Sequence, residues 1–255
     1  MNWTKDDVIT SDKYLAAFPR NYYKMDAIYM NRPIPWRNVW HNPPSSSTRL
    51  IISGHSDFPI IDQIVRRYPF ARWFGINKQT HLCKGLPLGI TNNTDESDLH
   101  PIYGNVDIMV DVASQPRDIK NLAYMNFSVG TYPIERQKVW DMFKDKSWVT
   151  TGMSVNTLEG RREFLREIRN HHYVVCPRGN GIDTHRLWET LYMGSIPIVL
   201  SDIAHSDWTD LPILFVNSWE EVTEEFLKSQ LERFTTTQWN YNKLHIGYWI
   251  RQIQG

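Results

Sequence analysis

Residues 173–202 read YVVCPRGNGIDTHRLWETLYMGSIPIVLSD, and this stretch decides the fold. Tyr173–Pro177 is a short apolar, β-branched run of the kind that forms a buried strand. It passes into Arg178-Gly179-Asn180-Gly181, a glycine turn, and the chain then enters a helix near Asp183 or Thr184. The helical pattern THRLWETLYM stops at Gly194, and SIPIVLS is a second buried strand. Strand, glycine turn, helix and strand make one βαβ unit, and such units build a parallel sheet covered by helices.

Working outward, the same alternation recurs. Upstream, LAYMNFS from residue 122 reads as a strand, IERQKVWDMFKD as an amphipathic helix with Ile134, Val139, Met142 and Phe143 on one side, WVTT as a strand and LEGRREFLREIRN as a charged helix. Downstream come ILFV and then SWEEVTEEFLKSQLERF, where Ser218 precedes Glu221 by three residues, the spacing of a capping box. WNYNKLHIGYWIRQIQG forms a terminal helix with an aromatic face to dock. Before residue 121, RLIIS, ARWFGIN, GLPLGI and NVDIMVDVA read as short strands, and PIIDQIVRRYPF as a helix. The pattern predicts two doubly wound α/β domains in series, residues 1–120 and 121–238, with residues 239–255 crossing back to the first. The proline-rich first 48 residues are read as loops and short elements.

Composition narrows the classes. In 255 residues, 28 Lys and Arg balance 28 Asp and Glu, so nothing in the net charge draws the chain to nucleic acid or an anionic membrane. The arginines of GRREFLREIR, residues 160–169, are interleaved by Glu163 and Glu167 and are read as a solvated helix face. Two cysteines, Cys83 and Cys176, exclude a disulfide framework and a four-thiolate zinc site by count. No apolar run approaches the roughly 18 residues of a membrane span and no leader pattern opens the chain, so the expected location is cytoplasmic. With 11 Trp, 12 Tyr and 10 Phe the chain is rich in aromatic side chains, suited to a core, a sugar or a base.

The glycine turn carries the candidate chemistry. Backbone N–H groups at a glycine turn and a helix amino end, with Arg178 and His185 beside them, favour a phosphate or pyrophosphate. Glu189, four residues after His185, can accept hydrogen bonds from vicinal ribose hydroxyls. The segment has neither the Lys-Ser/Thr pair of a P-loop nor the GxGxxG spacing, so ATP hydrolysis and NAD binding find little support. An ordinary strand-to-helix turn with a solvated Glu189 is the competing reading.

CPRGNGIDTHRLWETLYMGSIPIVLSD resembles the donor-binding segment of GT-B glycosyltransferases of the exostosin-like group, including virus-encoded relatives, whose pattern runs HR-x-WE-x-L-x-x-G-x-x-P-[IV]-[IV]. YMNFSVGTYPIERQKVW, KGLPLGI and ISGHSDFPI are similar to other segments of that group, and the likeness spans residues 49–235. The resemblance implies two Rossmann-like domains facing a cleft, a nucleotide sugar in the second and a glycan acceptor in the first. Arg178 would then meet the diphosphate, Gly181, Asp183, Thr184 and His185 would surround it, and Glu189 would hold the ribose. Ser128, Thr131 and Arg136, from the first strand-loop-helix of that domain, and Ser154, after WVTT, are further donor-side candidates.

For the base that activates the acceptor hydroxyl, Asp57 stands where strand RLIIS ends, and His55 is its competitor. An N-cap for a helix starting at Pro59 is the other role open to Asp57. Asp95, Glu96, Asp98 and His100 rank below it as a solvated cluster. Trp36, Trp40, Trp73 and Phe58 are candidates for an acceptor platform, with Trp188 and Trp219 read as core. The expectation is a metal-independent transferase with no cofactor, inverting if Asp57 serves as the base, a retaining route needing no such base being the other course. It would move a sugar from a UDP-sugar, a pentose such as xylose included, to a glycan hydroxyl of an oligosaccharide or glycoprotein. The alternative is a non-catalytic nucleotide-sugar or glycan-binding module on the same fold.

Overall fold

A computed structural model describes residues 3–18, 27–30, 49–53, 57–94 and 97–255, with the backbone alone at 27–30. The protein is α/β with two main parallel sheets. In chain order its elements are α1 (Ser11–Ala17), β1 (Ala27–Met30), β2 (Leu50–Ser53), β3 (Ile60–Ile61), α2 (Asp62–Val65), β4 (Arg72–Gly75), β5 (Lys78–Gln79), β6 (Lys84–Gly85), α3 (His100–Tyr103) and α4 (Val106–Ser114). Then follow β7 (Asn121–Met125), α5 (Pro133–Phe143), β8 (Val149–Thr151), α6 (Leu158–Arg169), β9 (His171–Val175), α7 (His185–Met193), β10 (Ile196–Leu200), β11 (Leu214–Val216), α8 (Glu224–Thr236) and α9 (Ile246–Gln254). The first sheet has strand order β1-β2-β4-β6 and the second β11-β10-β9-β7-β8, every pair parallel.

Alternation of side chains along the strands explains the layers. On β2, Leu50 and Ile52 join the largest buried cluster while Ile51 faces a smaller one with Ile60, Ile64 and Trp73. On β9, Val174 and Cys176 face the large cluster, and Tyr173 and Val175 face the opposite side with Val139, Phe143, Leu227 and Phe234 of α5 and α8. Both faces of the second sheet are therefore covered, as an all-parallel sheet requires. The large cluster is continuous across the chain, from Ile9, Ile52 and Phe74 to Trp188, Tyr192, Trp208, Trp249 and Ile253. The terminal helix closes it: α9 packs against α1, Ile246 N–H donates to Asp7, and Arg72 donates to the carbonyls of Gln252 and Ile253.

Several elements differ from the sequence reading. NVDIMVDVA is helix α4, because the Asn105 side chain accepts from Ile108 N–H and caps it, and because Ile108, Met109 and Val112 share a helical face. In GLPLGI only Gly85 lies in a strand, and PIIDQIVRRYPF holds a two-residue strand followed by a four-residue helix. Helix α8 is capped by Thr223, whose hydroxyl accepts from Phe226 N–H, so Ser218 precedes only a short 3-10 turn at Trp219–Glu221. On α5 the buried face is Arg136, Val139 and Phe143, and Ile134 is 84% exposed.

Gly89 joins the chain's beginning to the first sheet's last loop. Its φ is +70°, and a β-carbon there would stand 2.1 Å from the Ile9 carbonyl oxygen, while Ile90 N–H donates to that same oxygen. Replacing Gly89 by alanine should cost about 2 kcal/mol or more through left-handed strain and overlap with backbone. A thermal midpoint lowered by roughly 4–8 °C is the expected reading from a melting curve.

Candidate functional site

Going outward from β7 the second sheet runs to β8 on one side and to β9, β10 and β11 on the other, so its order reverses between β7 and β9. Beyond the carboxyl ends of those two strands lies a cavity of about 700 Å³. That is where open parallel sheets bind ligands, and the volume suits a nucleotide-sized molecule.

From the second sheet, Ser128 and Thr131 come from the loop after β7, Ser154, Val155 and Asn156 from the loop after β8, and Gly179, Asn180 and Gly181 from the turn after β9. Asp183, Thr184, His185, Arg186 and Glu189 bring the amino end of α7. Thr184 caps that helix, its hydroxyl accepting from Leu187 N–H, and Gly194 ends it in the left-handed region at φ 81°. Positive dipole is thus directed at the cavity. The facing wall carries Ser11, Asp57, Leu88, Thr91, Asn92, His100 and Tyr103.

The two walls are joined beneath the cavity by buried polar contacts. One Asp183 oxygen accepts from Leu88 N–H at 2.8 Å, and both accept from Trp188 Nε1 at 2.9 and 3.0 Å. Asn77, itself at φ 56°, accepts the Asp183 N–H on its side-chain oxygen. Burial pushes the Asp183 carboxyl up to about 7, against the opposing pull of its N–H donors. His185 Nδ1 lies 2.8 Å from the Gly89 carbonyl oxygen, which can only accept, so Nδ1 carries the proton. Burial also holds this imidazole below its usual value. His185 is therefore neutral near pH 7, and its Nε2 is an acceptor rather than a cationic phosphate ligand.

Arginines divide the labour differently from the sequence expectation. Arg178 donates to the carbonyls of Gly179 and Asn180 and lies 4.4 Å above the Tyr132 ring, beside a smaller chamber of about 160 Å³ with Glu135, Asp202 and His205. Arg136 lines the large cavity, as do Arg161 and Arg186. Arg136 donates Nε to the Arg178 carbonyl and Nη1 to the Ser128 carbonyl, and its Nη2 points at Gly179, 3.4 Å from where a β-carbon would sit. Burial lowers its guanidinium to about 10, which leaves it charged at neutral pH.

Asp57 meets the glycine turn across the cavity: its Oδ1 is 3.1 Å from the position of a β-carbon on Gly181. No helix starts at Pro59, since α2 begins at Asp62 with Ile61 before it and without a side-chain cap, so Asp57 does not cap it. Asp57 and the glycine turn are thus neighbours. Ser154 donates to the Asn126 oxygen, and Tyr103 bridges the walls by donating to Asn156.

Other expected residues lie elsewhere. Trp73 is 2% exposed, packs with Ile51 and Ile60 and donates to the Ser53 hydroxyl, so it is core rather than an acceptor platform. Phe58, 53% exposed, follows Asp57 but does not line the cavity. His55, Trp36, Trp40, Asp95 and Glu96 lie outside the described residues. Asp98 is exposed, whereas His100 lines the cavity with its Nδ1 2.8 Å from the Thr94 hydroxyl.

Arg161 overturns the reading of GRREFLREIR as a solvated face. Its side chain is fully buried, its Nη1 is 2.7 Å from Glu189 Oε1, and its guanidinium lies over Tyr103 and Phe164. Spacing held the signal: Arg161, Leu165 and Ile168 form the buried stripe of α6.

No protein-family model and no curated protein sequence matches the chain. Among the described residues no group of three or more His, Cys, Asp or Glu could hold a metal ion, and no helix is long and apolar enough to cross a membrane.

Asp183 sets a pH dependence. Its folded-state value near 7 lies above the ordinary value near 3.9, so the folded chain takes up a proton that the unfolded chain lacks between those limits. Stability from this group is complete below about pH 4 and is lost as pH rises through 7. The difference in thermal midpoint between the wild type and Asp183→Asn should therefore shift steadily against the wild type from pH 4 to pH 7. A constant difference would show that the carboxyl does not titrate in this window.

Proposed function

We propose that the protein is a glycosyltransferase of GT-B architecture, moving a sugar from a nucleoside diphosphate sugar to a hydroxyl of a glycan acceptor. Residues 121–238 would hold the donor, residues 1–120 the acceptor, and residues 239–255 would tie the two. The observation that carries this reading is one cavity at the sheet's switch point. It brings a glycine turn, a helix amino end, a charged arginine and a buried glutamate against a carboxylate from the opposite wall. Phosphate donors, a ribose acceptor and a separate base are the three chemistries that transfer from a nucleotide sugar needs.

In this mechanism the diphosphate lies along Gly179–Gly181 and the start of α7, with Arg136 as its cationic partner. Arg178 holds the turn's shape from outside by bonding its carbonyls. Glu189 accepts hydrogen bonds from the ribose hydroxyls, and the base lies toward Ser154 and Val155. The Asp57 carboxylate takes the proton from the acceptor hydroxyl as its oxygen attacks the anomeric carbon. The bond from that carbon to the diphosphate oxygen breaks, and the negative charge gathering there is stabilised by Arg136 and by preorganised N–H dipoles. His185, neutral with Nε2 as acceptor, is suited to a sugar hydroxyl. The transfer inverts the anomeric centre, and UDP-sugars, UDP-xylose among them, are the first donors to try.

A panel of nucleoside diphosphates and their sugars tests the reading directly. At 100 times Kd the cognate donor should stabilise the fold by about 2.7 kcal/mol, a rise of roughly 5–10 °C in thermal midpoint. A panel that moves the midpoint nowhere counts against a nucleotide site. With the donor known, Asp57→Asn should lower kcat about 10²–10⁴-fold while UDP affinity measured by calorimetry changes little. Donor binding with neither transfer nor donor hydrolysis would identify a binding module instead.

A further inference from the structure

We infer that Arg161 is a positioning residue of the nucleotide site: its buried guanidinium, on the lining of the same cavity, pairs with the Glu189 carboxylate and keeps it aimed at the ligand's ribose hydroxyls. The inference rests on the nucleotide reading above.

The pair is poorly built as a stabilising device. Nη1 of Arg161 lies 2.7 Å from Glu189 Oε1, and Nε and Nη2 have no hydrogen-bond partner among the described residues. Removing a guanidinium from water without saturating its donors is expensive, and apolar residues of similar volume commonly replace such pairs without loss. The faces of Tyr103 and Phe164, with the guanidinium carbon 5.8 and 5.6 Å from their centroids, return only part of that cost. A fold gains nothing by placing an arginine on the Leu165–Ile168 stripe unless its partner needs it. That partner lies on the cavity wall, in the first two turns of α7, one turn beyond His185. A carboxylate there can accept from two hydroxyls at once, one on each oxygen, and a cation beside it fixes where those oxygens point.

Other charged or titratable groups around Glu189 are His185 and Arg186 on its own helix, Asp183 just before it, Cys176 just past β9, and Asp57, His100 and Tyr103 on the facing wall of the cavity. Helix α4, which also packs on α7, carries Asp107 and the exposed Asp111, the latter paired with Arg162. Arg186 is the rival counter-ion. Its guanidinium lies over Phe164.

The test uses the whole chain with Arg161→Met, Arg161→Lys, Glu189→Gln and the double variant Arg161→Met/Glu189→Gln. Without ligand, a lone buried carboxylate is protonated in the folded state and resists ionisation. The thermal midpoint of Arg161→Met should then fall from pH 5 to pH 8.5 relative to the double variant. Asp183, His185 and Arg186 are common to both, so their contributions cancel. With UDP as probe, calorimetry should show Arg161→Met binding at least tenfold more weakly than wild type at pH 6.5 and recovering toward pH 8.5. Arg161→Lys should retain most of the affinity without that slope, and Glu189→Gln should be weak at both pH values.

Equal weakening of Arg161→Met at both pH values would reduce Arg161 to packing and overturn the inference. Parallel melting profiles for the single and double variants would do the same, with Arg186 as the effective counter-ion. Where Arg161→Met does not fold, Arg161→Gln, a shorter side chain that keeps two N–H donors but not the charge, takes its place in each comparison. A wild type that binds no nucleoside diphosphate overturns the ribose role together with the site reading. The ligand-free slope still separates that result from a failure of the Arg161–Glu189 coupling.

Discussion

The buried Asp183 carboxylate is the constraint on which the rest of this architecture turns. It accepts from Leu88 N–H of the first half and from Trp188 of its own helix, while Asn77 takes its backbone N–H. Nothing apolar could perform that task, because the Leu88 and Trp188 N–H groups it satisfies would otherwise be stranded in the core. Three residues around one carboxyl group thus fix where α7 begins relative to the loop at 77–89. The amino end of α7, the glycine turn and Asp57 inherit their relative positions from it.

Aromatic side chains fill the space beneath this polar junction. Trp188, Trp208 and Trp249 meet edge to face with centroids 5.3 and 6.3 Å apart, linking α7, the 3-10 turn at Ile203–Trp208 and α9. The Tyr192 hydroxyl accepts from Ile9 N–H and donates to the Leu244 carbonyl, bonding both ends of the chain to one helix. Among the described residues the cavity is lined by Tyr103 and Phe164 but by no tryptophan. The aromatic surplus is spent chiefly on joining layers.

How much was legible in the sequence follows from the range of the forces involved. The segment 173–202 was readable because its signals are local: β-branched runs, Thr184 as a cap and Gly194 as a stop. NVDIMVDVA misled because a short apolar run suits a buried strand or a helix, and the signals for the helix were Asn105 as a cap and the helical spacing of Ile108, Met109 and Val112. Arg161 was misjudged by composition, since glutamates beside arginines look solvated, although its place on the apolar stripe of α6 was in plain view. The separation of Arg178 from Arg136 had no local signal. It arises from Tyr132, which draws one guanidinium out of the cavity, and from the Ser128 and Arg178 carbonyls, which anchor the other inside it.

The docking of α9 has a consequence for the order in which the chain can fold during synthesis. Val8, Ile9 and Tyr14 share their cluster with Leu244, Trp249 and Ile253, more than 220 positions later in the sequence. The side of the second sheet covered by α5 and α8 draws its buried residues from 122–234 and can close as soon as that stretch has left the ribosome. The larger cluster stays open until the last turns of the chain arrive, because loop closure over such a span must precede the contacts that reward it. A nascent chain halted before residue 244 would display Ile9, Phe74 and Trp208 to solvent, which makes chaperone engagement a matter of translation timing rather than of mutational damage.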